Sequence, residues 1–236
     1  MSDQRQTVGD DGTFECLLRT DLGPERTVEA LASEWFGIEL PRAPSAQSDV
    51  PPLLRRLWDA GADRSMYCFH DWLLAEDSVE TAEDGSLVFF AEHQWCWTAS
   101  HRPGGGSNPE VSFDEGPGPA PNPMRPSGML LDEFLMREAL LSAQVAAPVH
   151  GFTLGEPSGS TFEQLLEQLH PVIGSRANEI YHAPSYWTDG RILVSGDRAR
   201  SRSLHVGASR AADLAASPLR VIPATSWSLW ERGAWR

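Results

Sequence analysis

The chain predicts an α+β fold in which a mostly antiparallel sheet is covered by helices, and three observations carry that prediction. The apolar run Leu87-Val88-Phe89-Phe90-Ala91 is too short for an ordinary helix and suits a pleated surface, so it reads as a strand buried on both faces. Stretches with apolar residues at helical spacing lie on either side of it. Asp84-Gly85 and Asp189-Gly190 mark tight turns between apolar runs. At 236 residues the chain can form one large domain or two small ones and bury most of its apolar surface.

Residues 1–12 are polar and glycine-bearing, and the stretch 1–23 is expected to be disordered or poorly packed. Val28, Leu31, Ala32, Trp35 and Phe36 recur at helical spacing behind Pro24, with Glu25 and Glu29 near the positive end and Gly37 placed to close the helix, so the first helix is expected near 25–36. Leu53, Leu54, Leu57 and Trp58 mark a second near 51–60 that stops at Gly61. Cys68 and Phe69 read as strand, and Trp72-Leu73-Leu74 crosses the core toward Glu76 and Asp77. After the Leu87–Ala91 strand comes polar Glu92-His93-Gln94, then Trp95 to Thr98, whose alternation of bulky and smaller side chains suggests a second strand. Pro103 to Pro109 reads as a flexible connection, Val111 and Phe113 as a short strand, and Gly116 to Gly128, rich in proline, as loop. A third helix is expected over 131–143, with Asp132 and Glu133 in its first turn.

The order of these pieces resembles the SUKH superfamily. Two helices with an intervening Gly37-Ile-x-Leu-Pro41 precede a Trp72-Leu-Leu segment, a Gly85-x-Leu-Val-Phe-Phe strand runs into Glu92-x-Gln94 and a Trp-bearing strand, and a Pro109-Glu-Val piece precedes Leu131-x-Glu-Phe-Leu135. The likeness covers about residues 25–145 and is sharpest over Leu87–Gln94 and Leu131–Leu135. His93, where the family commonly has Asn, and the long Gly116–Gly128 insertion depart from its pattern. The resemblance implies a SUKH-like domain over 24–145, with a mostly antiparallel sheet. It implies a bacterial immunity protein that binds and neutralises a polymorphic toxin domain without catalysis; the alternative within the same superfamily is a non-enzymatic regulatory scaffold like the fungal cell-wall-synthesis regulators. An uncharacterised hydrolase is a more distant reading.

Residues 146–236 read as an α/β extension, packed on the first part or forming a small second domain. Ser160-Thr-Phe-Glu163 fits a capping box for a fourth helix through Phe162, Leu165, Leu166 and Leu169. Ile180–Ala183, Ile192-Leu193-Val194, Leu204–Ala208 and Leu219–Ile222 are strand candidates, Arg210–Ala216 is a short helix, and Trp227, Trp230 and Trp235 ring the tail, as core, lid or exposed interface anchors.

Charge is divided unevenly. Residues 1–118 carry 22 acidic side chains against 8 arginines, whereas residues 119–236 carry 11 of each, so the net charge of −14 lies in the first half. Such a field repels nucleic acid and anionic membrane and favours encounter with basic partners. All 19 basic residues are arginine, which reads as a GC-rich genome. Three widely spaced cysteines suit a reducing cytoplasm, and the chain shows neither a secretory leader nor an apolar run long enough to span a membrane. A cytoplasmic protein, monomeric or weakly dimeric, is expected.

Candidate chemistry competes poorly with packing. Cys68-x-His70 and His93-x-x-Cys96 offer zinc-compatible ligands at unsuitable spacing, so no metal is expected. A Cys96/His93 nucleophile pair has no marked oxyanion hole, and Cys96 reads as a small buried hydrophobe. Gly104-Gly105-Gly106 has no strand-and-helix setting for phosphate, and Glu92 and Gln94 read as turn-capping groups. No catalytic residue and no cofactor is expected. The partner-binding surface is expected at carboxylates flanking loops: Glu110, Asp114 and Glu115 first, Glu76 and Asp77 second.

Overall fold

The computed structural model describes residues 13–45, 50–69, 71–115, 124–177, 180–197, 201–223 and 226–231, and the chain is α+β. Packing begins at Phe14, whose ring stacks on Trp35 at 4.0 Å and whose N–H reaches Gly190 O at 2.8 Å. Cys16 and Leu17, in a 3-10 turn over Glu15–Leu18, are buried beside it. The packed chain therefore starts well before the boundary expected at residue 23.

Helix α1 (Pro24–Ala30) has proline in its first turn, runs into a π-helical turn over Leu31–Trp35 and closes at Gly37, φ 66°. Helix α2 (Pro52–Asp59) ends at Gly61, φ 68°. Both follow their apolar spacing. They are stapled by the nearly buried Arg56, which donates to Glu25 at 3.0 Å, Glu29 at 2.6 Å and Pro41 O at 2.5 Å. Pairing each side of its fork offsets the cost of burying a cation.

Strands β1 (Asp71–Leu73), β2 (Glu80–Thr81), β3 (Leu87–Glu92), β4 (Thr98–His101), β5 (Glu110–Asp114) and β6 (Arg125–Leu130) form an antiparallel sheet in the order β1-β3-β4-β5-β6, with β2 beside β1 on the edge of β3. Phe89, Phe90 and Ala91 are fully buried in β3. Helix α3 (Leu131–Ala146) follows and is covered nearly all round, with twelve of its sixteen residues buried. A helix buried on all sides lies between layers, not on a surface.

Two sets of contacts show which layers those are. Phe134 of α3 meets the rings of Phe89, Phe90 and Phe113 at 5.8, 5.1 and 5.7 Å. Gln144, three turns on, donates to Leu193 O and His205 O at 3.1 Å each and accepts from Ser195 Oγ at 2.7 Å. Those partners belong to a second antiparallel sheet, built from β7 (Val149–Thr153), β8 (His170–Ile173), β11 (Ser185–Thr188), β12 (Ile192–Asp197), β13 (Ser201–Ala208) and β14 (Trp227–Glu231) in the order β14-β7-β13-β12-β11-β8. A two-stranded ribbon, β9 (Arg176–Ala177) with β10 (His182–Ala183), lies between β8 and β11 in the chain. Gly207 lets β13 come against α3, since a Cβ there would sit 2.8 Å from Gln144 O. Helices α4 (Gly159–Leu166) and α5 (Ala211–Ala216) complete the order.

Several expectations require correction. Trp95 to Trp97 is turn, and β4 begins only at Thr98, because Glu92 accepts backbone hydrogen bonds that fold the chain back at once. Cys68 and Phe69 lie in an irregular approach to β1, while His70 is outside the described residues. The proline-rich loop ends sooner than expected: β6 includes Pro126, tolerated because it lies on a sheet edge, and Gly128, φ 71°, beside a register shift. Residues 116–123 are outside the described set. Pro103–Pro109 is a hairpin connection between β4 and β5, and its Asn108 Oδ1 accepts from Asp132 N at 3.0 Å at the start of α3. The cap of α4 is Ser158, whose Oγ accepts from Thr161 N at 3.2 Å, not Ser160. Pro218–Val221 is a 3-10 turn where a last strand was expected. The last strand is instead β14, which contains Trp227; Trp235 is outside the described residues.

Candidate functional site

The site grows from one end of the first sheet. Strand register aligns Trp72 with Ala91, Ala91 with Thr98, and Thr98 with Asp114, and the next step outward pairs Asp71 with Glu92. The chain must reverse between β3 and β4 there, and Glu92 makes the reversal. Its Oε2 accepts from Gln94 N at 2.8 Å and Cys96 N at 3.1 Å, and Trp95 N donates to Glu92 O at 2.8 Å. Burial pushes the Glu92 carboxyl up, but these backbone donors outweigh it and hold the group below its ordinary value.

Trp95 stands at the tip of this turn with φ 60°, the left-handed region, and is 41% exposed. It is the non-glycine residue with positive φ among the described residues. For a bulky side chain that conformation carries strain, held here by the Glu92 clamp. Trp72, 39% exposed on β1, meets the His93 ring edge-on at 6.5 Å. Two partly exposed tryptophans and a histidine thus flank the same turn.

Behind the turn lies a cleft of about 360 Å³. It is lined by Asp71, Glu92 and Trp97 of the first sheet and its turn, by Arg137 and Glu138 of α3, and by Tyr181 and Tyr186. Tyr181 donates to Glu138 Oε1 at 2.5 Å. Burial, reinforced by the Asp71 charge, pushes the Glu138 carboxyl well above the usual carboxylate range. Burial likewise raises the Tyr181 and Tyr186 hydroxyls, which stay neutral donors.

Arg137 is 2% exposed and unevenly paired. Its Nε and Nη2 donate to Glu133 Oε1 at 3.2 and 2.8 Å, and the same oxygen also receives Arg176 Nε at 3.1 Å. Its Nη1 is buried without a hydrogen-bond partner.

The carboxylates expected to bind a partner do not lie together. Asp114 and Glu115 follow Phe113 at the same end of the sheet as Trp95, while Glu110, paired with Leu130, is at the far end of β5 and accepts from Gly128 N at 2.7 Å. Asp114 is half-buried, with Oδ1 lacking a partner, and burial raises its carboxyl above the ordinary value. Glu115 is exposed and 4.0 Å from Arg125. Glu76 and Asp77 are exposed in a 3-10 turn after β1, with Glu76 bound to Arg55 at 2.6 Å.

Cys96, expected to be buried, is exposed, and Cys68 is exposed as well. Among the described residues no group of three or more His, Cys, Asp or Glu side chains is placed to hold a metal ion. Sequence reasoning missed Asp71, Arg137, Glu138 and Tyr181. One signal was present: Glu138 is four residues after Phe134 and seven after Leu131, which puts a charged residue on the apolar stripe of α3. Comparison with known protein families, with characterised proteins and with solved structures finds no match to this chain.

Proposed function

We propose that this chain is a non-catalytic binding protein that neutralises a basic toxin domain, an immunity protein of the kind its SUKH-like sequence pattern suggests. The observation that carries the reading is Trp95, a partly exposed tryptophan held in a strained backbone conformation by a carboxylate clamp. Strain at an exposed side chain does nothing for folding, and tryptophan is among the residues that most often dominate binding energy at interfaces. Trp72 and His93 extend the apolar contact, and Asp114 and Glu115 edge it with acid at the same end of the sheet. This arrangement, with the acidic first half around it, suits a partner whose surface is basic, as that of a nuclease toxin is toward nucleic acid.

Growth protection tests the reading. If the neighbouring gene encodes a basic toxin domain, cells producing that domain should stop growing, and co-production of this chain should restore growth through a complex with Kd below about 1 μM. A stable, folded chain that neither protects nor binds would sink the proposal.

A further inference from the structure

We propose that Asp71 and Glu138 form a proton-sharing latch that holds the edge strand β1 and the Trp95 turn in place, and that loss of the shared proton releases both. The latch belongs to the chain alone; only its effect on a partner rests on the binding role proposed for Trp95.

The two carboxyl groups are joined where water does not reach. Asp71 is 5% exposed and Glu138 3%, and their side chains hydrogen-bond to each other. That bond exists only while at least one of them keeps a proton, because an ionised carboxylate can only accept. Without the proton two like charges would lie in contact inside the protein, the arrangement that keeps one member of such a pair neutral. The surroundings reinforce this. All three tyrosines of the chain bear on Glu138: Tyr181 donates to it, and the hydroxyls of Tyr67 and Tyr186 are raised by burial first and by the Glu138 charge second. Arg137 pulls the other way, with its Nε and Nη2 already on Glu133. Glu92, Cys96 and His182 complete the titratable lining of the cleft among the described residues.

The latch ends at the exposed tryptophans. Asp71 Oδ1 also accepts the His93 N–H at 3.3 Å, and Asp71 is the register partner of Glu92, whose carboxylate folds the turn that carries Trp95. Trp72, the next residue on β1, meets the His93 ring edge-on at 6.5 Å. One short strand therefore reaches both rings. β1 has three residues and lies at the end of the sheet order beside β3, whereas Glu138 sits in the middle of α3, sixteen residues long and buried nearly all round. When the pair carries two charges, β1 is the side that yields. A partner held by Trp95 and Trp72 is then held less firmly as pH rises.

The test needs no partner. With 5-fluorotryptophan in place of tryptophan, fluorine NMR gives a signal for each of the nine tryptophans, and Trp72→Phe and Trp95→Phe assign two of them. The series is run on His93→Gln, which removes the imidazole beside Trp72 and keeps the backbone N–H that bonds to Asp71. From about pH 5 to about pH 10 both signals should move along one curve whose midpoint lies above the ordinary carboxylate range. Adding Glu138→Gln keeps the bonds to Asp71 and Tyr181 without a titrating proton, so both signals should stay still. Adding Asp71→Asn removes the like charge, so the midpoint should fall. Signals that stay in place across that range before either addition, or that move only as the whole protein unfolds, overturn the proposal, and so does an unchanged titration after either one.

Discussion

Tyr181 donates its phenolic hydrogen to Glu138 Oε1 across 2.5 Å, with both side chains buried, and so ties the segment leading into the second sheet to the helix that carries the first. Around that bond Tyr181 also stacks on Phe113 at 4.8 Å and meets Trp97 edge-on at 5.4 Å. Replacing Tyr181 by Phe keeps the rings and removes the donor. The loss should lower stability by about 1–3 kcal/mol in urea melts, the cost of a buried acceptor left short of its hydrogen bond.

Glu138 should make stability depend on pH. Its folded carboxyl titrates well above the unfolded value of about 4.3, so the folded state holds the proton more tightly. That stabilisation is fully present below the unfolded value and is lost as pH rises through the folded one. Glu138→Gln can still accept from Tyr181 and donate to Asp71, but does not titrate. Relative to the variant, the unmodified protein should lose up to about 1.4 kcal/mol per pH unit above the unfolded value, measured by melts from acid to neutral pH. Parallel pH profiles would show that Glu138 is not the titrating group.

The aromatic centre of the first sheet should tolerate truncation poorly. Phe90 is fully buried and meets Tyr67, Trp97 and Phe134 at 6.0, 6.2 and 5.1 Å. Phe90→Ala should cost about 3–5 kcal/mol in urea melts through lost burial and the cavity left behind. A variant as stable as its parent would place Phe90 outside the core.

The helices and the buried strand were legible because each rests on a local rule. Pro24, Gly37 and Gly61 punctuate apolar stripes, and Leu87–Ala91 is apolar on both faces. The turn at Trp95 was not legible, since alternation of Trp with smaller residues fits a strand and only the Glu92 carboxylate, acting over four residues, folds it back. Strands β7, β8 and β11 escaped notice for a related reason. Val149–Thr153 carries a glycine and a histidine, His170–Ile173 a proline, and Ser185–Thr188 is too short to show a period, so their pairing is set by neighbours far along the chain. The cleft joins residues 71, 92, 137 and 181, which no spacing rule connects. Asp114 and Glu115 were found by charge alone, and charge does not reveal that one is half-buried and the other exposed.

That difference separates two substitutions at one end of the sheet. Glu115→Arg should leave folding within about 0.5 kcal/mol and slow association with a basic partner, with a weaker dependence on salt, because the exposed charge acts on steered encounter. Asp114→Arg should cost about 1–3 kcal/mol in stability, since a half-buried position receives a larger charged group. Association rates at two ionic strengths, with melts of both variants, check the pair. An unchanged rate for Glu115→Arg removes this residue from the interface.

Trp95 tests the central claim most directly, because its proposed role sets stability against binding. Glycine adopts φ 60° without strain, so Trp95→Gly should leave the fold as stable as before or more stable, by up to about 1 kcal/mol. The measurement is the Kd of the unmodified chain and of Trp95→Gly for a basic toxin domain that the chain protects against, by titration calorimetry, alongside a melt of each. An interface anchored by Trp95 predicts weakening of about thirtyfold or more in a variant that melts no lower than its parent. An equally stable variant with an unchanged Kd would contradict it.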